Sequence, residues 1–455
     1  MSTSAGASAD HTSDTNDQVP LSAVRKAVAG AAMGNAVEWF DYAIYSYLIA
    51  SITKNFFPDT SPTAGTLLAF SGIAIPFILR PLGGIVLGPL GDKFGRRRVL
   101  SLTILAMSGA TALIGLIPSA GTIGLAAPLL LVLLRLVQGF STGGEYGGAA
   151  TFIAEYAPDK RRGFYGSFLE FGTLGGFVLG AALATVFQLT LPQDAMDSWG
   201  WRIPFLCAAP LGLIGFYLRN RLEDTPVFQK ISHGETQTVA LGAMMRINWK
   251  QILNLMGIVI LLNVADYTVL TYMPTYLSKV LGISDAESNL SLIGVMLVMM
   301  LLIAPVGRLS DRVGRKPVLL TAAIGFLVLS YPAVKLIEMI SPLPVIVGLG
   351  VLGLLLLLML GTIGSAFPAM FPTRYRYGAF SIGYSVSTAA FGGTAPLIIA
   401  ALIAGTGNNT IPAYYVMAAA AIAIVPILLM PETAGKSISD ATEIPGTKAA
   451  MASTS

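Results

Sequence analysis

Gly88-Pro89-Leu90-Gly91-Asp92-Lys93-Phe94-Gly95-Arg96-Arg97 and Gly307-Arg308-Leu309-Ser310-Asp311-Arg312-Val313-Gly314-Arg315-Lys316 are two copies of one pattern, G-x-x-x-D-[KR]-x-G-R-[RK]. They stand about half of the 455-residue chain apart. A second echo pairs Pro158-x-x-x-Arg162-Gly163 with Pro372-x-x-x-Arg376-x-Gly378. The chain therefore reads as two related halves. Glycines let two helix ends turn tightly, and an aspartate beside cationic side chains accepts charge-assisted hydrogen bonds. Asp92 with Arg96, and Asp311 with Arg315, are thus expected to gate the molecule, latching one conformation and releasing it in another. Charge sidedness alone would explain the arginines, but not Asp92, Asp311 or the glycine spacing.

Between the copies the chain is apolar. Hydrophobic residues make up 54% and charged residues 11%, where soluble domains hold about 25% charged. A membrane-spanning helix needs about 20 apolar residues. Twelve segments qualify: 25–52, 64–88, 99–118, 124–150, 163–190, 202–220, 249–278, 289–308, 317–339, 344–370, 378–405 and 411–431. The expected fold is an all-α membrane protein of twelve transmembrane helices in two pseudo-symmetric six-helix bundles. Residues 25–220 form the first bundle and 249–432 the second, joined by a cytoplasmic linker at 221–248. Residues 1–24 read as a disordered cytoplasmic tail without a signal-peptide core, and 433–455 as a short cytoplasmic tail. With the N-terminus inside, 22 of the 28 Lys and Arg fall on the inner side and four outside. Arg80 and Arg135 remain within spans. This asymmetry puts both termini in the cytoplasm, and the net charge of +4 then says nothing of nucleic acid. Cys207 is the lone cysteine, and His11 and His233 lie in the tail and linker. No metal site and no cofactor is expected. Nor is an enzyme, since no nucleophile–base pair appears, nor a receptor, since no signalling domain is appended.

The polar residues inside the spans carry the functional reading. A carboxylate at membrane depth costs roughly 2.5–3.5 kcal/mol on insertion scales and faces a cavity or a partner. Span one holds Asn35, Glu38, Trp39, Tyr42 and Tyr45 on one face, with Asp41 to its side. Span four reads Arg135, Gln138, Thr142, Glu145 and Tyr146 within roughly a 100° sector. Span seven repeats the arrangement of span one: Asn263-x-x-Asp266-Tyr267 against Asn35-x-x-Glu38-Trp39. Pseudo-symmetric helices bring such faces toward a central cavity. Glu38, Asp41, Arg135 and Glu145 are the expected proton relay. Asn35, Trp39, Tyr42, Gln138, Asn263, Asp266 and Tyr267 are the expected substrate contacts. Arg80 needs an acid partner, for which Asp41 and Glu145 are the candidates. Glu170 is either another intramembrane acid or a residue near the inner surface.

The doubled loop motif resembles the signature of the major facilitator superfamily. The Arg135-x-x-Gln138-Gly139 pattern resembles that superfamily's fourth-helix motif, which implies a role for Arg135 beside a proton site. Span five lacks the proline of its antiporter motif, which favours symport. Within the superfamily, Gly34–Tyr45, Arg80–Arg97, Gln138–Tyr146 and Trp199–Pro204 look like the metabolite:proton symporter family. Asn263–Tyr276 and Phe367–Tyr377 look most like its proline/glycine-betaine branch. The resemblance implies proton-coupled uptake, in the bacterial inner membrane, of a small zwitterionic osmolyte such as proline or glycine betaine. The partners are then solute, protons and the lipid bilayer, and the protein is expected to work as a monomer. A carboxylated metabolite (citrate, 2-oxoglutarate, shikimate) is the alternative. The chain ends without the long coiled-coil extension of that branch, which puts osmotic control through such a tail in doubt.

Overall fold

The computed structural model describes residues 21–94, 96–143, 145–220, 241–372, 376–436 and 438. Among them all regular structure is helical. Twelve long helices follow in order: α1 Leu21–Tyr47, α2 Pro62–Phe94, α3 Arg96–Ile114, α4 Ala126–Tyr156, α5 Arg162–Thr190, α6 Ala208–Asn220, α7 241–280, α8 Asp285–Val313, α9 Arg315–Ile337, α10 Pro342–Ala366, α11 Arg376–Thr406 and α12 Ile411–Leu429. They correspond one to one with the expected spans. Nine of them are long and apolar enough to cross a membrane unaided: α2, α4, α5 and α7–α12. The other three have a local reason for falling short. Glu38 and Asp41 interrupt the apolar run of α1. The apolar part of α3 is only Ser101–Ile114, and α6 is short. Most of the two expected tails and of the linker lies outside the described residues, although α7 is already helical at Leu241.

Helices α1–α6 form one bundle and α7–α12 the other. Within the first, α1 lies along α5, and within the second α7 lies along α11. Between them α5 packs on α8, and α11 on α2. The same two-fold relation thus governs contacts inside and between bundles. The α1–α5 seam follows from Gly172, Gly176 and Gly180, one per turn of α5. A Cβ on Gly172 would sit 2.2 Å from the Ala32 carbonyl oxygen, and one on Gly176 2.4 Å from that of Ala36. Backbones approach this closely only where side chains are absent.

The structure corrects one local expectation about the doubled motif. Its first half is helix rather than loop, because α2 runs on to Phe94 and α8 to Val313. Gly307 therefore acts by close packing, its Cβ position 2.5 Å from the Gly163 carbonyl oxygen of the other bundle. The turn itself falls on Gly314 (φ 107°), a left-handed conformation open to glycine.

At the end of the molecule where α5 and α11 begin, the two bundles bond directly to each other. Asp311 of α8 accepts hydrogen bonds from the backbone N–H groups of Gly163 (2.7 Å) and Phe164 (2.9 Å), capping α5 across the bundle interface. An anion suits the unsatisfied N–H groups there. Arg376 pairs with Glu155 of the other bundle at 3.0 Å. At the opposite end a cavity of about 440 Å³ lies between the bundles, lined by residues that include Tyr47, Lys54, Gln188, Asp197, Lys279 and Asn289.

Candidate functional site

Glu38 and Asp41 sit one turn apart on α1 and are 0% and 2% exposed. They meet different arginines. Glu38 forms an ion pair with Arg80 of α2, where the sequence had offered Asp41 and Glu145 as the acids for that arginine. The reason is angular: α1 presents residues 38 and 41 about 60° apart, toward α2 and toward α3 and α4 respectively. Asp41 Oδ2 lies 3.4 Å from Arg135 Nη1. Its Oδ1 accepts from the Thr111 hydroxyl (2.8 Å) and from Gln138 Nε2 (2.9 Å). Arg135 also donates to the Gly72 carbonyl (2.7 Å) and to Gln138 Oε1 (2.9 Å), and lies over the Tyr45 ring at 4.0 Å. Buried charges hold only when paired and hydrogen-bonded, and here each acid has an arginine inside the first bundle, although Arg135 Nη2 and Glu38 Oε2 find no partner among the described residues.

The aromatic residues lie where the bundles meet. Trp39 contacts Tyr42 (5.5 Å between centroids), Phe177 (5.4 Å) and, from the second bundle, Tyr267 (5.9 Å). Phe77 of α2 contacts Tyr42 at 5.3 Å and Tyr267 edge-on at 5.5 Å. Arg80 lies 5.4 Å from the Phe77 centroid, which sets the Glu38–Arg80 pair against this cluster. Several buried polar atoms around it have no hydrogen-bond partner among the described residues: Trp39 Nε1, Tyr42 Oη, Tyr267 Oη, Glu38 Oε2 and Asp266 Oδ1. Rings with orphaned polar atoms beside a charged pair can hold a ligand that has an apolar body, a cation and an anion. A π-helical stretch, Tyr267–Tyr272, begins directly after Asp266. Such turns re-aim side chains at functional sites.

Not every expected residue joins this cluster. Asn35 faces α5, where its Nδ2 donates to the Leu169 carbonyl (2.9 Å) and the Thr173 hydroxyl (2.6 Å). Asn263 faces α11 and donates to the Thr388 hydroxyl at 3.1 Å. The two asparagines thus tie corresponding helix pairs by the same bond. Gln138 serves Asp41 and Arg135. Glu145 is buried in α4. Arg315 lies 3.9 Å from Asp311, donates to Thr433 Oγ1 (2.7 Å) and to the Ser365 carbonyl (3.3 Å), and so secures its own bundle. The side chains of Asp92 and Arg96 lie outside the described residues. The structure adds Arg80, Phe77 and Thr111, which sequence reading left out of the site. Arg80 was visible as a charge inside a span; Phe77 and Thr111 carry no signal that distinguishes them from ordinary span residues.

Comparison with known proteins agrees with this architecture. Residues 27–240 match the family described as sugar (and other) transporters, and residues 255–452 match the Major Facilitator Superfamily. The proline/betaine transporter of Escherichia coli is 41% identical over 429 residues, covering 92% of this chain and 86% of that one. The glycine betaine/proline/ectoine/pipecolic acid transporter OusA of Dickeya dadantii is 42% identical over 434 residues, covering 92% and 85%. Among solved structures, the proton:xylose symporter XylE bound to 6-bromo-6-deoxy-D-glucose superposes with a TM-score of 0.73. It shares 19% identity over 93% of this chain and 99% of its own, a likeness of fold. The chain is therefore a multi-pass membrane protein of the major facilitator superfamily, in the family that holds these proline and betaine transporters.

Proposed function

We propose that this protein takes up a small zwitterionic osmolyte, such as proline or glycine betaine, together with protons, by alternating access between its two bundles. The observation that carries the reading is the aromatic cluster of Trp39, Tyr42, Phe77 and Tyr267, drawn from both bundles and set against the Glu38–Arg80 pair. A substrate ammonium, secondary as in proline or quaternary as in glycine betaine, is attracted to ring faces, worth about 2 kcal/mol or more once desolvated. Asp266 adds a carboxylate on the second bundle's side. Arg80, against the cluster, meets the substrate carboxylate. Arg135 is enclosed by Asp41, Gln138 and Gly72 and serves the proton instead. Asp41 is the first proton carrier, because its ion pair with Arg135 loosens when it is protonated and tightens when it is not.

A multiply charged carboxylate such as citrate fits less well. Arg80 and Arg135 each already face an acid, Glu38 and Asp41 respectively, so the site holds too little net positive charge for a polyanion. The end where α5 and α11 begin is placed at the cytoplasm of a bacterial inner membrane, with both termini inside, following the asymmetry of Lys and Arg. The protein works as a monomer, each copy holding a complete pathway.

The test is uptake of radiolabelled proline into proteoliposomes under an imposed proton gradient. Proline accumulates, a protonophore abolishes accumulation, and betaine competes where citrate does not. Accumulation indifferent to the protonophore overturns symport; competition by citrate and not betaine overturns the substrate class.

A further inference from the structure

Glu170 of α5 stands apart from the charged pairs of the site. It is 2% exposed. The Tyr146 hydroxyl of α4 donates to its Oε1 at 2.6 Å, and the Thr173 hydroxyl to its Oε2 at 2.8 Å. Among the described residues no lysine or arginine forms a salt bridge with it. The Asn35 amide donates to Thr173 Oγ1 at 2.6 Å. One hydrogen-bonded chain therefore runs from α1 through Thr173 and Glu170 to Tyr146. At its far end the Tyr146 ring lies flat on Tyr384 of α11, with centroids 4.2 Å apart and planes 11° apart. Phe380 of α11 packs beside both rings. A buried acid of the first bundle is thus bonded to a ring that forms the contact with the second.

We propose that Glu170 is a second proton-carrying residue of the transport cycle, separate from the Asp41–Arg135 pair, and that Tyr146 links its protonation to the parting of the bundles. A carboxylate in an apolar interior with only neutral hydroxyl partners is costly, and a proton removes that cost. Glu38 and Asp41 differ in this respect, since each has an arginine. The titratable groups facing Glu170 are Tyr146 from α4, Tyr384 from α11 behind it, and Asp266 from α7 within electrostatic reach. Toward α1 its partner Thr173 accepts from the Asn35 amide. None of these supplies a positive charge.

The geometry also gives the proton a route. While Tyr146 and Tyr384 are stacked, Glu170 is dry and holds its proton. When the bundles part at this seam, water enters, and the proton passes from the carboxyl oxygen to that water and leaves a solvated carboxylate. Tyr146 and Thr173 hydroxyls are rotors that both donate and accept. They donate to the carboxylate, and one of them turns to accept from the carboxyl O–H, so Glu170 keeps its partners in both protonation states while the bundles are stacked.

The inference rests on the symport reading, and the experiment separates the two. Wild type and Glu170→Gln are reconstituted side by side. Proline accumulation under an imposed potential and proline counterflow are measured in each, the first also across a pH series. Asp41 and Glu170 carry the same proton in turn, one per substrate, and under a potential of about 100 mV this sustains roughly 50-fold accumulation. Wild type accumulates on that scale, Glu170→Gln falls toward about onefold, and its counterflow persists because exchange moves no net proton. Tyr146→Phe keeps the ring and loses the hydroxyl, and it shifts the pH midpoint of uptake while retaining accumulation. Wild type that fails to accumulate overturns the transport reading. Wild type and Glu170→Gln that accumulate alike, or a Glu170→Gln protein that loses counterflow as well, overturn the role of Glu170. An unshifted pH profile in Tyr146→Phe overturns the link through Tyr146.

Discussion

Two acids one turn apart on α1 meet different partners because a helix points them at different neighbours. Glu38 is committed to Arg80, beside the aromatic cluster, while Asp41 is committed to Arg135, Gln138 and Thr111. The first pair is a strict test of buried electrostatics. Glu38→Ala leaves the Arg80 guanidinium buried without its acid, at a cost of about 3–5 kcal/mol. Thermal unfolding of the purified protein in detergent should fall accordingly. Replacing both members, Glu38→Met with Arg80→Met, should recover much of the loss, because no unpaired charge remains. A double variant as unstable as the single one would remove the ion pair as the cause. The presence of charges at these positions was plain from sequence. Their pairing was not, since periodicity gives the face of a residue and says nothing of which helix lies opposite.

At the scale of helices, pseudo-symmetry reaches individual hydrogen bonds. Asn35–Thr173 and Asn263–Thr388 join α1 to α5 and α7 to α11. Arg162 and Arg376, the two members of the second sequence echo, each donate Nε–H to a carbonyl eight residues earlier, Ala154 and Pro368, at 3.0 Å. Both guanidiniums also hold the backbone after α12, at Lys436 and Ile438. Just before that stretch Glu432 caps α9. Its carboxylate accepts from the N–H groups of Arg315 (3.1 Å), Lys316 (3.0 Å), Thr433 (2.9 Å) and Ala434 (2.9 Å). Burial disfavours its charge, but the four donors outweigh burial and hold its pKa below the usual value. The folded state therefore binds this proton less readily than the unfolded chain. The cap's stabilisation is complete above the unfolded pKa, about 4.3, and is lost as pH falls through the lower folded value. Unfolding temperatures of wild type and Glu432→Gln across that range should converge in acid and diverge toward neutral pH. Parallel curves would mean that Glu432 does not titrate as a cap.

For the whole molecule, the decisive feature is an end where the two bundles bond directly to each other, opposite an interbundle cavity. Asp311 caps α5 across the interface, and Arg376 pairs with Glu155 beside it. Asp311→Ala should weaken this closure and populate a state open at that end. In a Cys207→Ser background, spin labels at positions 160 and 308 would report a larger share of long distances. An unchanged distribution would show that the latch lies elsewhere. The doubled motif announced a gate in sequence. In the structure Asp311 accepts from backbone N–H groups of the other bundle, with Arg315 farther away at 3.9 Å.

Composition, the twelve apolar segments and the doubled motif determined by themselves that this is a two-bundle helical membrane protein. Hydropathy and repeats are local properties, and lipid permits few folds that satisfy every backbone group. Tertiary structure alone decided which arginine meets which acid, that Asn35 and Asn263 tie helices together, and that Trp39 and Tyr267 touch across the interface. Those choices depend on how helices distant in sequence rotate and approach, as when Gly172 and Gly176 let α1 sink against α5.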